Sequence, residues 1–294
     1  MSDFICLTGK PANGQRAQPI YIEIAFSCIL KKPVQGVKEV KMMVSLKNRR
    51  LLFLLICCAV VLPAAHSRGA ISVYDQVTTV GTPVYLKVLT KGRLFADGGR
   101  LVEFYLDDNS LGKNLTGGDG YGYRKYTPKR PGIIKVQARS KGESGSGLLL
   151  VMKKKEKVIF IEIEGGFKDA FISKIAAGAI RRAVERLLKK YRVIYISRYT
   201  GLRMAREWLD EHEFPEAPVL RWQGPKMFSA LKEKGIHLYA IIGSAGVIAE
   251  SAEHIEKRYT FEKTQKGQTV KDWEEIIELL PKSVPKDSAK SKKK

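Results

Sequence analysis

The chain has 294 residues, 44% of them hydrophobic, with 52 Lys and Arg against 30 Asp and Glu, a formal net charge of +22. A length of this order suits about two domains of ordinary size, and the apolar share excludes a wholly disordered chain. The basic excess suits anionic partners such as nucleic acid, acidic lipid headgroups or envelope polysaccharide, without selecting among them.

Residues 1–41 show no clear pattern and read as a mis-called extension ahead of Met42 or Met43. Lys47, Arg49 and Arg50 then form a positive region, Leu51 to Val61 an unbroken apolar run, and Pro63 to Ser67 a small-residue cleavage site. Residues 1–67 are therefore expected to be a leader, with a secretory signal at about 43–67. The apolar run is shorter than the roughly 20 residues of a comfortable membrane span. Cys57 follows Ile56 rather than a small residue, which speaks against a lipoprotein signal. All four cysteines (Cys6, Cys28, Cys57, Cys58) fall in the leader, so disulfides, cysteine metal sites and thiol catalysis are excluded beyond it. The leader holds nine basic and three acidic residues, leaving 43 against 27, or +16, in residues 68–294.

Residues 68–154 show period-two patterning with turn punctuation. Val84–Leu89, Leu101–Leu106, Tyr121–Tyr126, Ile133–Ala138 and Leu148–Met152 read as strands. Gly81-Thr-Pro, Asp107-Asp-Asn-Ser, Gly117-Gly-Asp-Gly and Lys129-Arg-Pro-Gly read as turns. Short strands at this spacing predict an all-β sandwich. Tyr121 and Tyr123 share one strand face and read as core or cross-strand packing rather than as a binding stripe.

Across residues 155–282 the period changes. Val158–Ile163, Val193–Ile196, a short strand from Pro218, Ile236–Ile242 and Tyr259–Phe261 read as strands. They alternate with helices over 168–190, 202–212, 225–234, 245–257 and 270–280. The first helix carries Phe171, Ile172, Ile175, Ala176, Ile180, Val184, Leu187 and Leu188 on its expected core face. Such alternation predicts a parallel sheet with helices on both faces, whose ligands sit at the carboxyl ends of the strands. Glu162, Ser197 and Gly243 all fall at such ends. Residues 283–294 are expected to be a basic disordered tail.

Two resemblances attach to these segments. Val80-Gly-Thr-Pro-Val-Tyr-Leu-Lys-Val, the segment 99–112 and the segment 119–138 (Asp-Gly…Tyr-Thr-Pro…Pro-Gly…Val-Gln-Ala) resemble bacterial Ig-like domains. The resemblance implies a spacer, stalk or adhesive module. Residues 158–167, an apolar run leading into Glu162-Ile-Glu164-Gly-Gly, resemble the phosphatase loop of the haloacid-dehalogenase-like (HAD) superfamily, which normally reads Asp-x-Asp-Gly-Thr. Val193–Thr200, Arg206–Leu220, Pro225–Leu231 and Ala240–Ser251 resemble the further motifs of its lipin/LNS2-like branch. This implies a three-layer α/β domain without a large cap.

On that resemblance Glu162 stands at the nucleophile position and Glu164 at the general acid/base position. Ser197, Arg198, Lys226, Gly243 and Ser244 are the candidate ligand-binding residues. The fourth motif has lost both acids, offering Gly243, Ser244 and Ile248. The extra methylene of Glu162 displaces the attacking oxygen, and misplacement by about 1 Å can cost roughly 100-fold. Without the missing acids Mg²⁺ would lack its usual carboxylates. The expectation is therefore a non-catalytic domain with no cofactor, Mg²⁺ entering only if residual phosphatase activity remains. Its partner would be an anionic, phosphate-bearing ligand, such as a phosphatidate-like lipid headgroup, or a protein; no aromatic-basic motif supports nucleic acid. The protein would be exported across a bacterial inner membrane, to the periplasm or outside the cell. The alternatives are a residual Mg²⁺-dependent phosphatase and a purely structural or adhesive envelope protein. Plainer roles fit the same residues: Glu162 and Glu164 in salt bridges, Ser197 capping the helix start near Thr200, Arg198 and Lys226 as solvated charges.

Overall fold

A computed structural model describes residues 70–92 and 95–280. The leader with its signal and four cysteines, and the basic tail, lie outside the described residues. Among the described residues no helix is long and apolar enough to cross a membrane.

The first part is a two-sheet sandwich. Strands β1 (Ala70–Val73), β3 (Val84–Lys91) and β6 (Tyr121–Tyr126) form one sheet. The other is formed by β2 (Gln76–Thr79), β8 (Glu143–Met152), β7 (Gly132–Ser140), β4 (Leu101–Leu106) and β5 (Asn109–Leu115), in that order. Alternate residues of β3 and β4 point inward, so Val84, Leu86 and Val88 meet Val102, Phe104, Val136 and Leu149 in one core. The Asp-Asp turn between β4 and β5 is tighter than the predicted four-residue turn. Asp107 and Asp108 both take positive φ, 43° and 65°, as a two-residue hairpin of the right twist requires. Tyr121 and Tyr123 lie on the outer face, because Gly122 between them is the buried residue. There Lys87 sits over the Tyr121 ring at 4.2 Å, so the packing is cross-strand and not core.

The second part is a six-stranded, wholly parallel sheet. Its strands are β9 (Lys157–Glu162), β10 (Arg192–Ser197), β11 (Val219–Arg221), β12 (His237–Ile242), β13 (Lys257–Thr260) and β14 (Gln268–Thr269). Their order across the sheet is β11-β10-β9-β12-β13-β14. The order in which successive strands are added thus reverses beside β9, which places a topological switch point between the carboxyl ends of β9 and β12. The helices are α1 (Ile163–Gly166, one turn), α2 (Lys174–Leu188), α3 (Leu202–Glu211), α4 (Lys226–Glu233), α5 (Ala245–Glu250) and α6 (Trp273–Leu279). One face of the sheet packs Ile159, Ile161 and Tyr195 against α2, α3 and α6, through Val184, Leu209 and Ile276. The other packs Phe160, Ile194 and Ile241 against Phe228 of α4 and Val247 of α5. Residues 163–173 join β9 to α2 directly, with no inserted cap domain.

The helix predicted over 168–190 starts only at Lys174. Ser173 caps it, its Oγ accepting the Ala176 N–H at 3.4 Å. The preceding segment folds back in turns, so Phe171 and Ile172, and with them Ile175 in the first turn of α2, miss the core they were expected to enter. Ile172 and Ile175 are each 88% exposed and Phe171 46%.

The two parts share an apolar cluster, because Val77, Leu150 and Met152 of the sandwich join Val158, Phe160 and Phe228. A buried acid clasps the seam. Asp75, between β1 and β2, accepts the N–H of Leu148 (2.6 Å) in its own sandwich and of Val219 (2.7 Å) in the parallel sheet. Arg206 of α3 closes the clasp, with Nη2 2.8 Å and Nε 3.1 Å from the same carboxylate. Burial raises the Asp75 pKa, and the Arg206 charge and the two amides offset that only in part. Thr79 Oγ1 adds a bond to the Lys234 carbonyl oxygen (2.8 Å), and Lys234 Nζ donates to that of Val77.

Candidate functional site

The strand ends bring most of the sequence-predicted residues together, but each is already bonded to another part of the chain. Glu162 is the last residue of β9 and is fully buried. Its Oε2 accepts the N–H of Ser244 at 2.5 Å. Its Oε1 is buried with no hydrogen-bond partner among the described residues. Burial raises its pKa, the Ser244 hydrogen bonds lower it, and the nearby Glu164 charge raises it further, leaving a net rise.

Glu164, two residues on in α1, has the opposite surroundings. Its carboxylate accepts the backbone N–H groups of Arg198 (3.1 Å), Tyr199 (2.9 Å) and Thr200 (2.8 Å), successive residues of the loop from β10 to α3. Ser197 Oγ lies 3.0 Å from the same carboxylate and 2.5 Å from the Thr200 carbonyl oxygen. Burial alone would raise the Glu164 pKa, but the amides outweigh it and hold the carboxyl below the usual glutamate range. A run of converging N–H groups with a hydroxyl is a cradle for an anion. In this protein the anion in it is Glu164.

The glycines serve the same arrangement. A Cβ on Gly165 or on Gly243 would stand 2.7 Å from Glu162 Oε2, and one on Gly165 would also collide with the Ser244 nitrogen. They admit the larger acid and let the two loops meet around it, which leaves little room for a ligand.

Arg198 is not free either. Its Nη2 pairs with Glu250 Oε1 at 2.9 Å, its side chain crosses the start of α5 over Gly246, and its guanidinium stacks on Tyr199. Trp222 Nε1 holds the other Glu250 oxygen at 3.2 Å. Ser244 sits at the N-cap position of α5 without a side-chain capping bond. The next amide, Ala245 N–H, is taken by Glu262 Oε2 at 2.8 Å. Lys226, exposed at the start of α4, is not drawn into the cluster and has no ion pair among the described residues. Glu250, Glu262 and Trp222 were missed by sequence reasoning, since no motif spacing links them to the strand ends.

The donor set does not suit Mg²⁺. Both Glu164 oxygens face N–H donors, Glu162 offers one unpaired oxygen, and Ser244 supplies a neutral hydroxyl where a carboxylate is wanted. Among the described residues no group of three or more His, Cys, Asp or Glu side chains could hold a metal. An open concavity of about 550 Å³ lies on the sandwich between Glu103, Lys113, Arg139 and Glu143. A smaller one of about 140 Å³ lies on the seam between Asp75, Lys135, Arg206 and Phe214. Neither reaches Glu162 or Glu164.

Fold and site thus define a β-sandwich joined to a parallel α/β domain whose strand-end loops are closed by the chain's own acids. No family model matches the chain, and no curated protein matches it. Solved structures resemble part of it. A CARDB domain from Pyrococcus furiosus is 11% identical over 29% of this chain and 94% of its own, with a TM-score of 0.24. The D00–D0 region of intimin is 16% identical over 29% of this chain and 46% of its own, also at 0.24. Domains 4 and 5 of the S-layer protein SbsC are 12% identical over 28% of this chain and 51% of theirs, at 0.22.

Proposed function

We propose that this is a non-enzymatic, exported two-domain protein of the bacterial envelope, in which an Ig-like module presents a degenerate HAD-like domain for binding. The observation that carries this reading is Glu164 seated in the N–H cradle of residues 198–200. A phosphoryl group would need those donors, and a carboxylate held below its usual pKa does not readily give them up. The order β11-β10-β9-β12-β13, with β9 central and the E-x-E loop at its carboxyl end, supports the HAD-like assignment. The ligand is an anionic, phosphate-bearing group or a partner protein. It meets the outer cations of the strand-end face, such as Lys226, rather than the filled cradle. Export rests on the leader, and the envelope role on the Ig-like sequence motifs.

Phosphate release from a generic aryl phosphate with Mg²⁺, compared between the wild type and Glu162→Gln, tests this. Equal rates at the buffer background are expected. A second reading, residual phosphatase activity, is favoured by Glu162 Oε1, the buried carboxylate oxygen left without a partner. Mg²⁺-dependent release that disappears in Glu162→Gln would establish that reading instead.

A further inference from the structure

We infer that the strand-end face of the α/β domain docks on an anionic lipid bilayer, with the turn 167–175 as its apolar prow. Ile172 and Ile175, each 88% exposed, stand at the start of α2, and the ring of Phe171 beside them lies 4.4 Å from that of Trp208, tilted by 32°. Met204, 56% exposed, lies one helical turn before Trp208 on α3. Tyr199, 74% exposed, projects from the neighbouring loop. Large apolar groups this exposed and this close together mark a contact surface. They are not needed for the core, which closes behind them at Phe167, Ala170 and Ala177.

The charges of the same face select the partner. Its acids are largely used inside the protein: Glu162 by Ser244 N–H, Glu164 by the 198–200 amides, Glu250 by Arg198 and Trp222, Glu262 by Ala245 N–H. Its cations Lys168, Lys174, Lys226 and Lys263 have no ion pair among the described residues. Asp169 and Glu262 are the exposed acids among them, the latter bonded to Ala245 N–H, and Arg203 is balanced by Glu207 at 3.6 Å. An apolar prow on a face whose lysines lack acidic partners matches the interface of a negatively charged bilayer, where apolar groups enter the acyl boundary and each cation near the surface adds attraction. The inference uses none of the cradle groups and stands whether or not the domain is HAD-like.

The test is hydrogen–deuterium exchange of the full chain with phosphatidylglycerol–phosphatidylcholine vesicles, and with vesicles of phosphatidylcholine alone. The readout is local, so a leader bound to the same vesicles does not confuse it. Segment 167–175 is expected to gain protection only with the anionic vesicles, and Ile172→Ser/Ile175→Ser, which leaves charge and core intact, is expected to abolish it. In co-sedimentation the double variant is expected to lose about tenfold in vesicle affinity. Unchanged exchange in 167–175 with anionic vesicles would overturn the inference. So would the same protection arising without vesicles as protein concentration rises, which would make the face a contact between copies. Equal protection in the double variant would overturn it as well.

Discussion

The domain seam and the strand-end loop each hold a carboxylate, buried in Asp75 and half-buried in Glu164, that collects several donors, yet the donors differ in origin. Asp75 gathers one amide from the sandwich, one amide from the parallel sheet and the Arg206 guanidinium. Glu164 gathers three consecutive amides of a single loop and has no cation on it. The first pattern ties two bodies together and is structural in purpose. The second is the surrounding of a bound anion, with the anion covalently attached. The difference teaches that burial of an acid is no guide to its role; the source and sign of its donors are.

The contrast can be broken most strongly at Asp75. Asp75→Ala removes the acceptor of two amides and leaves Arg206 without its carboxylate, holding only the Val73 carbonyl oxygen at the seam, and is expected to cost about 3 kcal/mol or more in urea unfolding. The loss should concentrate at the seam, with faster exchange in β2 and at Val219. A loss below about 1 kcal/mol would mean that the shared apolar cluster alone holds the parts together.

Glu164→Gln keeps the volume but replaces one acceptor oxygen with an amide facing N–H donors. It is expected to cost about 2 kcal/mol, the scale of hydrogen bonds to a charged group. Because the folded-state pKa of Glu164 is lowered, its contribution is present above the unfolded glutamate value and is lost as pH falls through the folded value. The stability difference between Glu164→Gln and the wild type should therefore shrink in acid.

Glu162→Gln should show the smallest effect and the opposite pH sign. The folded-state pKa of Glu162 is raised, so its contribution is favourable below the unfolded value and is lost as pH rises through the folded one. At neutral pH the substitution removes a buried charge with an unpaired oxygen and is expected to change stability by less than about 1 kcal/mol. Unfolding measured across the acid range should thus show the wild type losing ground to Glu162→Gln as pH rises, and losing its lead over Glu164→Gln as pH falls.

Much of the framework was legible in the sequence. The apolar run before Glu162 announces a central buried strand, and the alternation of periods two and three-to-four separates the sandwich from the parallel sheet. What escaped has local causes. Strand β5 lacks alternation, since Asn109–Leu115 has no fully buried residue and pairs along β4 by backbone bonds. The false start of α2 came from Phe171, Ile172 and Ile175, whose helical spacing mimics a core face although Ser173 caps the helix after the first two. At the strand ends, Glu162, Glu164, Ser197, Arg198, Gly243 and Ser244 lie together, as their positions in the sequence suggest. It does not reveal that they bond to one another, because the lengths of Glu162 and Glu164 that fill the cleft act only in three dimensions. Asp75 and Arg206 lie too far apart in the chain for any spacing to join them.

The most direct measurement is a carbon-13 NMR titration of the glutamate side-chain carboxyls. Glu164 should titrate below the ordinary glutamate range and Glu162 above it, with the Arg198–Thr200 amide resonances following Glu164. Both acids titrating together at the ordinary value, as two solvated surface groups would, contradicts a cleft filled by the chain's own carboxylates.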